Sequence, residues 1–287
     1  MSTRETSYDT EKNKVVVRND FIEAIHPDKM DLKTMKLFRL VISQCRKPDT
    51  ELYSYEFKIT DLAKIIGVDS SNYYKDAETM CINMMQMILK YGGGDPSKSW
   101  ALKHIFESCQ YDSRAGVVTI KLHEDMSELL LRLGRKFTQV PISDILMMKS
   151  KYAIRLYELL CERMMDNRPH ADVAVAVQLT IDEIRQATGT LDKKSYDQVG
   201  HLKSKIIMPA VRDIESATQK KDHEQFTGWK IIVKDLKYGR RFTGFEFQIW
   251  DRNGYEVVER YKRTGEPLPD KFRDQVEGQI TIYDFMD

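Results

Sequence analysis

The sequence predicts an α+β chain that uses one plan twice, a helix-turn-helix followed by a β-hairpin. Three observations predict it. Two strong helices share a register, RLVISQC at Arg39–Cys45 and RLYELLC at Arg155–Cys161. After each comes the same order of elements: a β-rich run, a short helix ending at glycine, a polar turn and a long helix. Each long helix is then followed by two β-rich runs around a polar turn. Short helix, tight turn and longer helix is the helix-turn-helix pattern, and a hairpin behind it makes a winged helix. The expected fold is therefore α+β with tandem winged-helix domains, placed at residues 15–135 and 138–254.

The elements follow in order. Residues 1–14, MSTRETSYDTEKNK, have no apolar core, so they are not a secretion signal and are expected to be flexible. A helix is expected over about Leu32–Cys45, where Leu37, Leu40 and Val41 recur at helical spacing. YSYEFKIT reads as β, and DLAKIIG as the short helix ending at Gly67; in the VDSS that follows, Ser70 or Ser71 can cap the next helix. That helix, NYYKDAETMCINMMQMIL, is long and Met-rich. The first wing reads SWALKHIFESCQY, turn DSRAG, then VVTIKLH. The joint is expected near GRKFTQVP, where Gly134 and Pro141 punctuate two helical runs.

The second copy opens with a helix over about Lys149–Met165, whose Ile154, Tyr157, Leu160, Cys161 and Met164 mark a buried face. VAVAVQLT reads as a strand, IDEIRQATG as a short helix ending at Gly189, and TLDKKS as the polar turn. The long helix is YDQVGHLKSKIIMPAVRDIESATQ, and the second wing is TGWKIIVKDLKYG, turn RRFTG, then FEFQIW. The interval between the two glycines differs slightly from that between the two arginines, which marks a duplicated domain and not a solenoid. Residues 255–287 are charged, contain Pro267, Pro269 and Gly278, and read as a flexible tail.

Composition narrows the function classes. The 287 residues suit two domains, and 41% hydrophobic with 31% charged residues is the balance of a soluble globular protein. No apolar run approaches the ~20 residues that span a bilayer, so no membrane partner and a cytoplasmic address are expected. Cys45, Cys81, Cys109 and Cys161 form no C-x-x-C pair and stand beside no histidine at zinc-ligand spacing, so reduced, mostly buried thiols are expected. The net charge of +1 decides nothing about nucleic acid; local clustering does.

Catalytic motifs are missing. YGGGDPSKS at Tyr91–Ser99 has the glycines, lysine and serine of a phosphate loop, but a phosphate loop runs from strand to helix. Here a helix is expected to end near Tyr91, capped by Gly92, and a strand to begin near Trp100. There is no G-x-S-x-G and no H-E-x-x-H, the six histidines are scattered, and no carboxylate cluster has metal-loop spacing. The chain reads as a non-enzyme without cofactor or metal.

Charge is concentrated on the second long helix. Its opening, DKKSYDQVGHLKSK, carries Lys193, Lys194, Lys203 and Lys205, while Ile206, Ile207, Val211 and Ile214 thicken into a core stripe further on. A polar, basic leading end before a buried half suits a helix that enters a major groove. The lysines would meet phosphates or guanine edges, and Ser195, Tyr196, Gln198 and His201 base edges or backbone. The second wing adds Lys230, Lys234, Lys237, Arg240 and Arg241, a plausible arm along the backbone or minor groove. The bland reading of both runs is a solvated charged surface. The first long helix opens with Ser71, Asn72, Tyr73, Tyr74 and Lys75, which is less basic; its Met80, Met84, Met85 and Met87, with Cys81, Ile82 and Ile88, read as core or partner-facing.

MKSKYAIRLYELLCERM, LTIDEIRQATG and the K-S-Y…L-K-x-x-I-I-x-P-A-V-R-D-I run resemble the initiator replication proteins of iteron plasmids; VVVRNDFIEA and FKITDLAKIIG extend the likeness more loosely into the first domain. The resemblance covers about residues 15–255. It implies two winged helices that bind repeated origin sites in double-stranded DNA, open A·T-rich DNA nearby and recruit host proteins such as the initiator ATPase and replicative helicase. It also implies dimerisation through the first domain and repression of the chain's own promoter. Base reading would fall on about Lys194–Ser216. At the C-terminus, Gln279, Ile280, Ile282 and Tyr283 resemble the peptide by which bacterial replication proteins hold the sliding clamp; the rival is a tail packed on its own domain. Two other functions compete: a tandem winged-helix transcriptional regulator, and a nicking enzyme, which would want a histidine pair around a metal.

Overall fold

The computed structural model describes residues 3–6, 9–10, 12–23, 30–46, 49–67, 73–92, 99–131, 133, 136–164, 174–222 and 225–265. In chain order the strands are β1 (Thr3–Glu5), β2 (Lys14–Arg18), β3 (Ser54–Lys58), β4 (Ile88–Gly92), β5 (Trp100–His104), β6 (Phe106–Asp112), β7 (Val117–Leu122), β8 (Phe137–Pro141), β9 (Val175–Thr180), β10 (Lys220–Asp222), β11 (Gln225–Thr227), β12 (Trp229–Tyr238) and β13 (Arg241–Asp251). The helices are α1 (Asn19–Glu23), α2 (Leu32–Ile42), α3 (Ile59–Ile66), α4 (Tyr73–Met85), α5 (Ser127–Leu130), α6 (Ile142–Met147), α7 (Lys151–Met164), α8 (Ile181–Ala187), α9 (Val199–Leu202), α10 (Met208–Thr218) and α11 (Arg252–Thr264).

The first half sets α2, α3 and α4 against a sheet ordered β1-β3-β7-β6. Its inner face follows the two-residue period of a strand: Val118, Ile120 and Leu122 of β7 and Tyr55 and Phe57 of β3 are buried. Asp31 caps α2 by accepting the Thr34 N–H at 2.8 Å. Gly67 closes α3 in the left-handed region, φ +76°, where a glycine carries no Cβ penalty. The second half sets α7, α8 and α10 against β12-β13-β9, with Phe245, Phe247 and Ile249 of the central strand β13 buried. The second half thus holds a helix-turn-helix with a hairpin, and the first half the two helices and the hairpin of another in the predicted order; its turn, residues 68–72 with the cap candidates Ser70 and Ser71, lies outside the described residues.

Several elements differ from expectation, most of them because of a partner distant in sequence. Residues 3–5 are not loose: β1 pairs in parallel with β3, Arg4 donates to both Asp49 oxygens at 2.7 and 2.9 Å, and the Thr6 hydroxyl donates to the Glu56 carbonyl. The Met-rich helix stops at Met85, because Ile88–Gly92 pairs with Trp100–His104; Gly92 ends a strand and caps no helix. YGGGDPSKS therefore joins two strands, which still excludes the strand-to-helix order of a phosphate loop; residues 93–98 lie outside the described residues. Phe137–Pro141 is a strand, since β8 pairs antiparallel with β2 from Lys14↔Pro141 to Arg18↔Phe137. The second wing turns at Gly239 and Arg240, so Arg241 already belongs to β13. The start of the charged tail is the helix α11, held by Asp251, which accepts the Asn253 and Gly254 N–H groups, and closed by Gly265 at φ +68°. All four thiols are free; Cys161 is buried, and Cys45, Cys81 and Cys109 are half-buried against the core, less fully covered than expected.

The two halves share one continuous core, and charge is buried inside it. Arg39 of α2 and Arg155 and Glu158 of α7 are 0%, 4% and 2% exposed. Arg39 donates through Nε and Nη2 to the two Glu158 oxygens at 2.5 and 2.9 Å, and Arg155 Nη1 donates to Oε2 at 2.9 Å. Arg155 also donates to the carbonyls of Ala187 on α8, at 3.0 Å, and Ile22 on α1, at 2.7 Å. Burial pushes the Glu158 pKa up, but the two guanidinium groups outweigh it and hold the carboxyl below its ordinary value. Removing the one anion leaves two buried cations uncompensated, so Glu158→Gln is expected to cost about 3–5 kcal/mol in urea unfolding. Because the folded value is depressed, the carboxylate's contribution is fully present above the unfolded value of about 4.3 and is lost as pH falls through the folded value. A loss below about 1 kcal/mol would show that the cluster relaxes into water.

Candidate nucleic-acid interface

The second helix-turn-helix is built from its caps inward. Thr180 and Glu183 form a capping box at the start of α8: the Glu183 N–H donates to the Thr180 hydroxyl, and the Thr180 N–H donates back to the Glu183 carboxylate. Burial raises the Glu183 pKa, but the Thr180 N–H and hydroxyl, both donating to the carboxylate, and Arg163, 3.0 Å away, offset it and hold the carboxyl below its ordinary value. The turn after α8 is fixed from within. The Thr188 and Thr190 hydroxyls bond at 3.0 Å, and the Thr190 N–H reaches the Arg185 carbonyl at 2.8 Å. Arg185 Nη2 donates to the carbonyls of Thr190 and Leu191, while Nη1 pairs with Asp197 at 2.7 Å. Sequence reasoning missed Arg185 as the organiser of this turn. The available signal was a basic residue in the last turn of a short helix, where carbonyls lack partners.

Beyond the turn the leading end is not one α-helix. Lys194–Tyr196 forms a 3₁₀ turn, α9 follows, Lys203–Ile207 is a π turn, and α10 completes the rod. Of the predicted contact residues, Lys194, Ser195, Gln198, His201 and Lys205 are exposed. Lys193 is half-buried, 5.7 Å above the Tyr152 ring. Tyr196 is half-buried and packs on the core. Lys203 is engaged by Asp235 of β12 at 2.6 Å. That bond fastens the helix to the stem of the wing and leaves the lysine less available to phosphate than its neighbours.

The wing is positioned by the sheet. β9 pairs with β13 only over Gly244–Ile249, so the hairpin from Lys237 to Phe242 projects beyond the third strand. A register shift after Leu236 leaves Thr243 unpaired and twists the tip. At Gly244 a Cβ would overlap the Leu179 carbonyl, so only glycine lets β9 approach there. Lys237, Arg240 and Arg241 are exposed on the tip, with Lys237 stacked on Phe242 at 4.4 Å. Lys230, by contrast, is tied to Glu215 at 3.1 Å in the stem.

The first helix-turn-helix presents a different surface. Ser71 and Asn72 lie outside the described residues, and Tyr73 opens α4. Tyr74 and Lys75 are exposed, with Tyr74 packed on Tyr111 at 5.6 Å between ring centres. Behind them lies a groove of about 710 Å³ whose lining includes Cys81, Ile82, Met85 and Cys109. The Met-rich stripe divides: Met80, Met84 and Met87 are core, while Ile82 and Met85 face outward. The tail residues Gln279, Ile280, Ile282 and Tyr283 lie outside the described residues. Among the described residues no helix is long and apolar enough to cross a membrane, and no group of three or more His, Cys, Asp or Glu can hold a metal.

Comparison with known proteins agrees with this architecture. A family model described as "Initiator Replication protein, WH1" matches residues 14–161, and one described as "Initiator Rep protein, WH2" matches residues 180–249. Among solved structures, the crystal structure of Pi initiator protein in complex with iteron DNA is similar, with a TM-score of 0.63 and 18% sequence identity. The likeness covers 84% of this chain and 99% of that one, and at this identity it shows the fold alone.

Proposed function

Because the chain belongs to the initiator replication protein family, we propose that it starts plasmid replication by binding repeated origin sites, iterons, through its second winged helix. One observation carries the assignment of the interface: the Lys203–Asp235 bond holds an exposed leading end beside an overhanging basic wing. In this reading the leading end enters a major groove, Gln198 and His201 meet base edges, and Ser195, Lys194 and Lys205 hold the flanking backbone. Lys237, Arg240 and Arg241 follow the backbone or adjacent minor groove. Tyr196 and Lys193 support the turn more than they read bases, given their burial. That a protein of this fold, the Pi initiator, is solved in complex with iteron DNA supports DNA of this class as the ligand.

The division of labour is part of the proposal. Residues 15–135 form the dimerising unit with auxiliary DNA contact through Tyr73, Tyr74 and Lys75, and residues 138–254 the main DNA-binding unit. The dimer represses its own promoter, and the protein opens the origin in the cytoplasm by binding and recruitment, not by catalysis. Its partners are the host initiator ATPase, the replicative helicase and, through Gln279–Tyr283, the sliding clamp.

Footprinting on DNA flanking the gene, at two salt concentrations, tests the function. Several evenly spaced direct repeats, about one or two helical turns apart, are expected to be protected; a lone inverted repeat would point to a repressor. Lys205→Ala should weaken binding to all sequences and make the salt slope shallower by about 1, as for one lost phosphate contact. His201→Ala should instead relax base preference by about 1–3 kcal/mol at one position. If both variants bind the repeats as the parent does, the leading end is not the contact surface. Deleting Gln279–Asp287 should abolish capture by immobilised clamp with origin affinity unchanged; unaltered capture would remove the tail from the proposal.

A further inference from the structure

The π turn at Lys203–Ile207 lies between the half of the helix proposed to read DNA and the half in the core. The Met208 N–H donates to the Lys203 carbonyl, five residues back, and Pro209 follows immediately at the start of α10. In a regular α-helix the Pro209 ring would press on the Lys205 carbonyl and leave it without a donor. The wider turn relieves that contact. It also admits one extra residue, which rotates everything upstream by about 100° around the helix axis.

The rotation is visible in the burial pattern. Ile206, Ile207, Ala210, Val211, Ile214 and Ala217 form the buried stripe of the trailing half. An uninterrupted α-helix would carry the middle of that stripe to Lys203, four residues before Ile207 and seven before Ala210, and would move Leu202 to its rim. The opposite is observed. Leu202 is 0% exposed, and the Lys203 side chain is 34% exposed at the flank, bonded to Asp235. The same rotation sets which way Gln198 and His201, upstream of the turn, face.

We propose that Pro209 is a positioning residue for DNA specificity: through the π turn it sets the rotational register of the leading end, and so which side chains meet bases. Pro209 itself stays on the core side of the interface. The proposal rests on the assignment of α9 and the π turn as the reading end.

The test compares binding to the footprinted repeat and to a scrambled duplex of equal length, for the parent, for Pro209→Ala and for Pro209→Ala combined with Leu202→Lys and Lys203→Leu. The triple variant fits an uninterrupted α-helix. Pro209→Ala is expected to keep its thermal stability or gain some, because alanine suits a helix interior, yet to lose discrimination by about tenfold or more, the effect of losing a base contact. The triple variant should lose more. Discrimination equal to the parent's in Pro209→Ala would overturn the inference whatever the triple variant does, because Lys203→Leu also removes the bond to Asp235; equal discrimination in the folded triple variant would overturn it as well. A parent that does not distinguish the repeat from the scrambled duplex would instead sink the reading end itself.

Discussion

A single carboxylate between two guanidinium groups ties α2 to α7 at the centre of this molecule. Glu158 accepts from Arg39 and Arg155 where almost no solvent reaches. Charges in such surroundings are tolerated only with near-complete pairing. Arg155 spends its remaining donors on the carbonyls of Ile22 and Ala187, and Arg39 lies over the faces of Phe21 and Phe38, at 5.2 and 4.9 Å from their ring centres. One cluster thereby fixes α1, α2, α7 and α8 against one another. Its origin is legible in the duplication itself: Arg39 and Arg155 occupy the same place in RLVISQC and RLYELLC. The repeat brings the two arginines to one point, and only the second copy supplies the anion.

That constraint explains what the sequence made legible and what it hid. α3 and α8, their glycine-marked ends and the alternating strands of both sheets follow from local pattern, because each has one face on the core and one in water. α2 carries its signal in length and caps, since Thr34–Ile42 are all buried. The misread segments are those decided by a distant partner. Ile88–Gly92 extends the helical period of α4 until Trp100–His104 claims it as a strand. Phe137–Pro141 looks like a punctuated joint until Lys14–Arg18 pairs with it, more than a hundred residues away. α11 is different, because Asp251 as cap and Gly265 as stop were there to be read; its charge obscured an amphipathic helix.

The candidate site shows the same split. That the leading end is polar and basic is a property of composition, and the structure leaves Lys194, Gln198, His201 and Lys205 exposed. Which lysine is engaged depends on tertiary contacts: Lys203 meets Asp235, thirty-two residues on, and Lys193 lies against Tyr152. The π turn was hidden for another reason. Val199, Leu202, Ile206, Ala210 and Ile214 satisfy a plain helical period by eye, and the need for an extra residue emerges only when the centre of the trailing stripe is projected onto Lys203.

The two copies have kept one scaffold and parted in surface chemistry. In the second, the exposed groups at the helix and wing are cations and hydrogen-bonding side chains, the chemistry that suits a polyanion. In the first, Tyr74, Ile82, Met85 and Tyr111 stand exposed around α4 and β6, with Trp100 and Leu102 outward on the neighbouring hairpin. Such apolar area is poorly matched to phosphate and well matched to burial against protein. The Glu158 cluster holds α1, α2, α7 and α8 in one frame that carries both surfaces. On the proposed division of labour, a second copy held at the first surface would link two reading ends, and linked sites gain affinity by proximity without any new contact to DNA.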